Sequence, residues 1–579
     1  MATALHLFFI GYFGDVDFEP DSYYHFIFSV SAFADLPQSL NWAAGVWPKP
    51  IFTLLMGFFI WLFQVQFLWI VKVINVLIWL GVNIVGYRLA RLLQLSATTS
   101  LIITFLIQFS FLGFRAAIGT LTEPLFALLA LAAILALYER RFTTSCLLIS
   151  LSGLARPEGL LLLPGWVLIL WVLCGRRRID DLIWLGLFPL LWNFWGYQLT
   201  GDYTFIVSSG YPSGSPYGQG SWVHYPKGLL QYEPLLFPLA IAGGIMTLRQ
   251  KHYYPLHILS FIFFAFNIIA WRFGLFGTAG LLRYFVPVLP WLALYAGAMI
   301  EAILANDALK SLQKWAYIPL GGQIVFTIWI LTSGTTGYFL HNTPKIDQAL
   351  VHAGIWIQQT YPTRYLHTAH PALLYYARRD FYSGSSSGDV AHLKPQAIIA
   401  VDQDFTHPEI MLRVQSFPKI NSFADSIYLY EYDLTAFKIP IDSPFGDDAI
   451  QPYLKTGWAD IESWGVWAMG EIAEMQLYSP RPQPLNISIS AFPHYIEHQQ
   501  QTITMFYNDT PVGEYTFPLD NQEPQQILVH IPENLITGQV DLLKFVFTYA
   551  QSPASLGTGS DARELAAGFL NIQITPTEQ

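Results

Sequence analysis

Charge is scarce in this sequence. Only 12% of its 579 residues are Asp, Glu, Lys or Arg, about half the share (roughly 25%) of an ordinary soluble domain. With 53% hydrophobic residues, the whole chain cannot present a water-facing surface. Cysteine is nearly absent: Cys146 and Cys174 are the only two, both inside apolar runs. That excludes a disulfide framework, so any soluble part is held by its own core. Lys/Arg stripes are missing as well, and a net charge of −10 argues against nucleic acid as a partner. No P-loop, dinucleotide fingerprint or zinc-type Cys/His spacing occurs. Gly384-Ser385-Ser386-Ser387-Gly388 spells G-x-S-x-G, but without the strand-turn-helix setting of a nucleophile elbow. Asn486 and Asn508 begin short sequons that carry little weight.

The charge that is present divides unevenly. From His341 onward there are 12 basic and 26 acidic residues, a net of −14; the first 340 residues hold 18 and 14, a net of +4. An apolar, mildly basic part followed by an acidic one implies two different solvents. Apolar runs recur at 66–88, 97–114, 121–138, 143–156, 158–174, 181–199, 229–248, 255–271, 284–303 and 315–338. A perpendicular span needs ~20 residues, so several are short, and 143–174 also reads as a re-entrant pair. The segment Ala2 to Gly14 is shorter still. It is either a tilted span or the sign of a start placed too far downstream, and the second is preferred.

Basic residues mark one side. Arg88/Arg91, Arg140/Arg141, Arg176/Arg177/Arg178, Arg249/Lys251 and Lys310/Lys314 fall at every second loop, which is the positive-inside pattern. The expected location is the cell (inner, cytoplasmic) membrane. Asp15 to Lys49, the loops at Arg115 and Arg156, 200–228, 272–283 and everything after Tyr338 then lie on the extracytoplasmic side. The expected fold class is an α-helical multi-pass membrane domain of about 10–11 spans over 1–340. A small α/β domain over 341–440 and a jelly-roll-like β-sandwich over 441–579 follow, the last marked by alternating strands such as LNISISAF and QTITMFYN. Trp458, Trp464 and Trp467 at its start are either core residues or a stacking surface for sugar rings.

The candidate chemistry sits in the outer loops. GDVDFEPDSYYHF places Asp15, Asp17, Glu19 and Asp21 within seven residues, with His25 behind them. A carboxylate there can take the proton of an attacking hydroxyl. The bland reading is a solvated acidic loop. Four carboxylates also suffice for a divalent cation, so a metal stays open, and no other cofactor is indicated. Lys49, between two prolines in WPKPIF, is fixed at headgroup level, where an ammonium can hold a lipid phosphate or simply snorkel. Glu123 in TLTEPLFALL, Arg156 with Glu158 in GLARPEGLLLLP, and Arg283 with Tyr284 in GLLRYFVPVLP interrupt apolar sequence. Such residues are functional candidates, although Glu123 also fits a helix-tying pair with Arg156 or Arg115. Lys72 is a further phosphate candidate, and Trp222, His224, Tyr225 and Lys227 in the long outer loop could line an acceptor groove.

In their order (FEPDSYYH, WPKP, TEPLFALL, ARPEG, RYFVPVLP) these segments resemble the GT-C superfamily of membrane glycosyltransferases, in particular its bacterial protein mannosyltransferase and aminoarabinose transferase branch. The resemblance covers roughly residues 1 to 340, and an α/β segment to about 435 is also common there. It implies inverting transfer of a sugar from a polyprenyl-phosphate donor to a hydroxyl of a glycan, lipid or protein acceptor. By the same resemblance the base is Asp21, with Glu19 second. Lys49 contacts the lipid phosphate, Arg283 and Tyr284 match the family's arginine-tyrosine pair, and Glu123, Arg156 and His224 join them as substrate-binding candidates. The loop departs from the family in offering E-P-D where relatives often have adjacent acidic residues. The β-sandwich resembles an accessory domain found on bacterial glycan-processing proteins. Rival expectations are an oligosaccharide ligase or polymerase on the same scaffold, a transporter with a sugar-sensing ectodomain, and a structural sugar-binding surface protein. A transporter would show internal repeats and matching broken helices in two halves, and no such symmetry is seen.

Overall fold

The computed structural model describes the chain except residues 1, 15–16, 18, 34–35, 46, 65–66, 175–179, 209–217, 306–317, 334–342, 381–382, 386–396, 403–405, 407–409, 412–413, 415–416, 425, 433–438, 480, 520–521, 538–539, 558 and 578–579. It forms two compact units, Met1–Gln348 with Asp380–Tyr382, and Ala349–Arg379 with Ser383–Gln579.

The first unit is helical. Its helices are α1 (Ala2–Phe13), α2 (Pro20–Ala32), α3 (Leu36–Ala43), α4 (Pro50–Phe63), α5 (Leu68–Leu92), α6 (Ala97–Gln108), α7 (Phe111–Ile118), α8 (Glu123–Tyr138) and α9 (Phe142–Ala155). They continue as α10 (Leu162–Cys174), α11 (Ile183–Thr200), α12 (Phe205–Ser208), α13 (His224–Tyr232), α14 (Leu236–Thr247), α15 (Tyr254–Phe273), α16 (Leu289–Ala305) and α17 (Ile318–Ser333). Among the described residues three helices are long and apolar enough to cross a membrane: Leu68–Leu92, Lys251–Phe273 and Leu282–Ala305. There are five if each of two bent pairs is one span, α6 with α7 (59°) and α13 with α14 (116°). The runs at 97–114 and 229–248, expected as unbroken spans, are therefore kinked. Shorter apolar helices, Glu123–Tyr138, Phe142–Ala155 and Pro157–Val172, take up the runs expected at 121–138, 143–156 and 158–174.

Both kinks follow from polar residues inside apolar sequence. Glu233 and Pro234 part α13 from α14, and the buried Glu233 carboxylate accepts from the Leu112 N–H (3.0 Å) at the start of α7. At the other break, between α6 and α7, the Phe109 carbonyl accepts from Gln323 (3.1 Å) and Thr327 (2.6 Å) of α17, and Gln323 also donates to Glu233 (3.1 Å). Backbone freed by a broken helix needs such partners where water is absent. Close packing completes the unit: a Cβ on Gly243 of α14 would stand 1.8 Å from the Tyr295 carbonyl oxygen of α16.

The second unit contains sheets. After α18 (Thr343–Thr360), strands β1 (Leu366–Thr368), β2 (Gly384–Ser385), β3 (Ile398–Asp402), β4 (Lys419–Phe423) and β5 (Ile427–Glu431) form one mixed sheet in the order β2-β1-β3-β5-β4, with α19 (Pro371–Tyr376) beside β1. The strands from β6 (Ile441–Pro444) and β7 (Val466–Met469) onward are antiparallel. One sheet runs β11 (Thr510–Thr516), β10 (Thr502–Tyr507), β13 (Val540–Phe547), β8 (Ile472–Tyr478). The other runs β12 (Gln525–Ile531), β9 (Leu485–Pro493), β14 (Leu565–Pro576), β6, with β7 also on β14. Alternate residues of β9 and β13 are buried, so Ile487, Ile489, Leu543 and Phe545 meet between the sheets with Met505, Tyr507 and Phe569. That is the sandwich expected from the alternation.

Trp458 packs against this core, its indole N–H donating to the Glu474 carbonyl (2.6 Å). Trp464 and Trp467 are half-buried and cluster with Phe492 instead. Gly457 beside Trp458 has φ +75°, and a Cβ there would stand 2.0 Å from the Ile472 carbonyl oxygen of β8. Gly457→Ala should therefore cost on the order of 2 kcal/mol or more. The readout is a lower thermal unfolding midpoint of the full chain in detergent, and an unchanged midpoint would contradict the strain.

Candidate active site

Ten charged side chains from six separate stretches of the first unit converge, most of them at helix starts or on short turns, with Lys72 inside the long helix α5. Glu19 is extended at the start of α2, Pro20 occupies the first helical position, and Asp21 stands in the first turn. Proline there presets the helix, and a carboxylate there favours the helix dipole. Lys49 occupies the equivalent place before α4, again followed by proline, with a left-handed backbone (φ 54°, ψ 79°). Its carbonyl accepts from Phe52 (2.9 Å) and Thr53 (3.1 Å). A lysine in this strained region is held there by its surroundings, and its ammonium lies 5.2 Å from the centre of the Trp47 ring.

Arginines link the carboxylates into one chain. Arg283, on the 3-10 turn Leu282–Val288, pairs with Asp21, with Glu19 (3.2 Å) and with Glu123 (3.6 Å). Arg115 of α7 also pairs with Glu19. Arg156, just after α9, holds Glu123 (2.5 Å) at the head of α8, holds Glu158 (2.9 Å), donates to Thr122 (3.2 Å) and lies over the Tyr284 ring (5.5 Å). Beneath these, Asp17 accepts from the Thr120 N–H (3.0 Å) and faces Lys72 (3.9 Å), whose ammonium also donates to the Gly14 carbonyl (3.2 Å). Asn75 donates to the Gly119 (2.9 Å) and Leu121 (2.7 Å) carbonyls and so fixes the turn between Arg115 and Glu123.

Burial sets the charge states outside the helices that qualify as spans. Burial raises the Asp21 carboxyl, and Arg283 beside it more than offsets this, holding Asp21 below the usual carboxylate range. Burial also pushes the Lys49 ammonium down to about 8, helped by Arg156 and opposed by Glu158, Asp21 and Glu123. His25, one turn beyond Asp21, is lowered to about 3 by burial and is neutral at ordinary pH.

Of the residues singled out from the sequence, Asp21, Glu19, Lys49, Arg283, Tyr284, Glu123 and Arg156 are brought together. His224 is placed otherwise. Its ring contacts Trp271 and Tyr225, and its Nε2 lies 2.7 Å from the Gly280 carbonyl, so it braces the turn leading to Arg283. Lys72 is taken up by Asp17 rather than by the open side. Sequence reading offers Glu158 as a candidate only alongside Arg156, and Arg115 only as a rival partner for Glu123. Their one signal is an ionisable group inside or against apolar sequence. Asp15 and residues 209–217 of the long loop lie outside the described residues. Among the described residues no group of three or more His, Cys, Asp or Glu is arranged to hold a metal ion. In the acidic loop, Glu19 and Asp21 are engaged by arginines.

No family model matches this sequence, and no curated protein matches it. Solved structures do match. ArnT from Cupriavidus metallidurans, bound to undecaprenyl phosphate, is 13% identical with TM-score 0.51, covering 74% of this chain and 97% of that one. The oligosaccharyltransferase of Archaeoglobus fulgidus, in complex with zinc and sulfate, is 9% identical over 94% of this chain and 92% of its own, at TM-score 0.39. A family 35 carbohydrate-binding module from an environmental isolate is 21% identical over 24% of this chain and 90% of its own, at TM-score 0.14. The match to nearly the whole length of ArnT gives this chain the fold of that protein, in line with the resemblance to membrane glycosyltransferases read from its motifs.

Proposed function

We propose that this protein is an inverting glycosyltransferase that moves a sugar from a polyprenyl-phosphate donor to a hydroxyl of a glycan, lipid or protein acceptor on the extracytoplasmic side. The observation that carries this reading is the meeting of half-buried Asp21 with the buried Arg283 and Lys49, a base and two cations, at the ends of helices. ArnT, which shares the fold, was solved with a polyprenyl phosphate bound.

The acceptor oxygen attacks the anomeric carbon while its proton passes to Asp21. The bond from that carbon to the phosphate oxygen breaks, and its electron pair leaves with the lipid phosphate. Lys49 and Arg283 face the growing negative charge in a site shielded from water, where fixed charges act most strongly. Glu123, Arg156 and Tyr284 shape the surrounding wall. By the same reading the domains expected over 341–440 and 441–579 lie on the extracytoplasmic side.

Purified full-length protein in lipid, offered labelled polyprenyl-phosphate sugars and a panel of acceptors, should consume one donor. Use of only a lipid-linked oligosaccharide would favour the ligase, and solute uptake without transfer would favour the transporter. Donor affinity should also fall as pH rises through and above about 8. The ammonium that holds the phosphate is present below that value and lost above it, whereas the phosphodiester stays anionic throughout. A donor KM that is flat from pH 7 to about 9.5 would remove Lys49 from this role.

A further inference from the structure

The three carboxylates on Arg283 are not held alike. Glu19 also pairs with Arg115, and Glu123 also pairs with Arg156. Among the described ion pairs Asp21 has Arg283 alone, and it is the most open of the three, its side chain 26% exposed against 14% for Glu19 and 1% for Glu123. Two carboxylates have a second cation, and the one without it faces outward.

This asymmetry has a chemical consequence. A carboxylate paired to arginine is a poor base, so Asp21 as it stands is ill suited to take a proton. Releasing it requires Arg283 to turn away, and a guanidinium that leaves a buried carboxylate unpaired does so at a heavy cost. That cost is avoided at Glu19 and Glu123, where another cation stays behind, and is smallest at Asp21, the most exposed of the three. We infer that Arg115 is a positioning residue: by keeping Glu19 paired, it frees Arg283 to pass from Asp21 to the phosphate of the lipid-linked donor.

The inference rests on the proposed function and orders its steps. A donor phosphodiester, singly negative, draws the guanidinium off Asp21, and the bared carboxylate becomes a stronger base only once a donor is in place. The acceptor hydroxyl then gives its proton to Asp21 as its oxygen bonds to the anomeric carbon. The bond to the phosphate oxygen breaks, the electron pair stays on that oxygen, and Arg283 faces a dianion. Arg156 does the same for Glu123, but its contacts with Glu158 and Tyr284 make Arg115 the cleaner probe.

The test compares donor kinetics of the full chain in lipid for wild type, Arg115→Met, Arg115→Lys and the pair E19Q/R115M. In Arg115→Met, Glu19 depends on Arg283 alone, so donor KM should rise on the order of tenfold to a hundredfold while kcat at saturating donor stays within about threefold. Arg115→Lys keeps a cation and should stay within about fivefold of wild type in donor KM. The pair removes both charges and should recover at least about fivefold of the lost affinity. A pair no better than Arg115→Met, or a lysine variant as impaired as the methionine one, overturns the inference. If Arg115→Met fails to fold, the pair, which leaves no lone charge, is set against Arg115→Lys. Donor KM values within about fivefold of each other are then expected, and a pair far weaker overturns it. A wild type that turns over no polyprenyl-phosphate donor brings down the proposed function and this inference together. Turnover by the wild type with a failed rescue removes this inference alone.

Discussion

Asp21→Asn should abolish transfer, by on the order of a thousandfold or more in kcat, while the protein still folds and inserts. The amide is nearly the shape of the carboxylate and its oxygen still accepts from Arg283, but it cannot take the acceptor's proton. The effect on stability is small and has a definite sign. Arg283 holds the Asp21 carboxyl below its ordinary value of 3.8, so the wild-type pair adds stability above that value. The contribution is lost as pH falls through the lowered one. The variant therefore loses part of its neutral-pH margin and should be less sensitive to acid. Measuring label transfer beside the melting midpoint separates the two effects. Retained transfer would move the base to Glu19 and leave the fold assignment untouched.

Lys49→Met should produce an equally severe loss of transfer with the opposite mark on stability. The buried ammonium is held in a left-handed backbone and is pushed down to about 8 by its surroundings, so the folded protein disfavours this charge. Replacing it by a thioether of similar length removes that burden, and the unfolding midpoint should stay level or rise. Donor KM should rise by on the order of a hundredfold or more, because the phosphate loses a cation in a site shielded from water. A midpoint that falls together with transfer would mean that Lys49 serves to hold the helices instead. An active residue that weakens the fold is the signature of a site selected for binding.

Much of this site was legible in the sequence because lipid is an unforgiving solvent. Charges at Glu123, Arg156 and Arg283 stand out against apolar surroundings, and the prolines after Glu19 and Lys49 announce helix starts. Partners were not legible. Arg115 and Glu19 are 96 residues apart, and Arg283 and Asp21 are 262 apart. Nothing local to either member chooses between Arg115 and Arg156 as the partner of Glu123, and only packing places Arg156 on it. The kinks at 97–114 and 229–248 were missed for a related reason. A hydropathy window averages over Ser110 and Glu233, whereas the backbone responds to each polar group singly. His224 stands out in sequence by its loop, whereas its contacts with Trp271 and the Gly280 carbonyl join residues tens of positions away. The sandwich was legible from alternation, which depends on only one buried face.

The repair of the first helix break also bears on how the chain is made. The Phe109 carbonyl is satisfied by Gln323 and Thr327, residues more than two hundred positions later. During synthesis from the N-terminus, α6 and α7 therefore enter the bilayer with their junction still bare, and the last described helix of the unit is the one that closes it. Until that helix arrives, the Phe109 carbonyl lacks these two partners in a solvent where an unpaired backbone group is costly. The last described helix of the unit thus supplies partners that a chain translated only as far as α7 does not yet have.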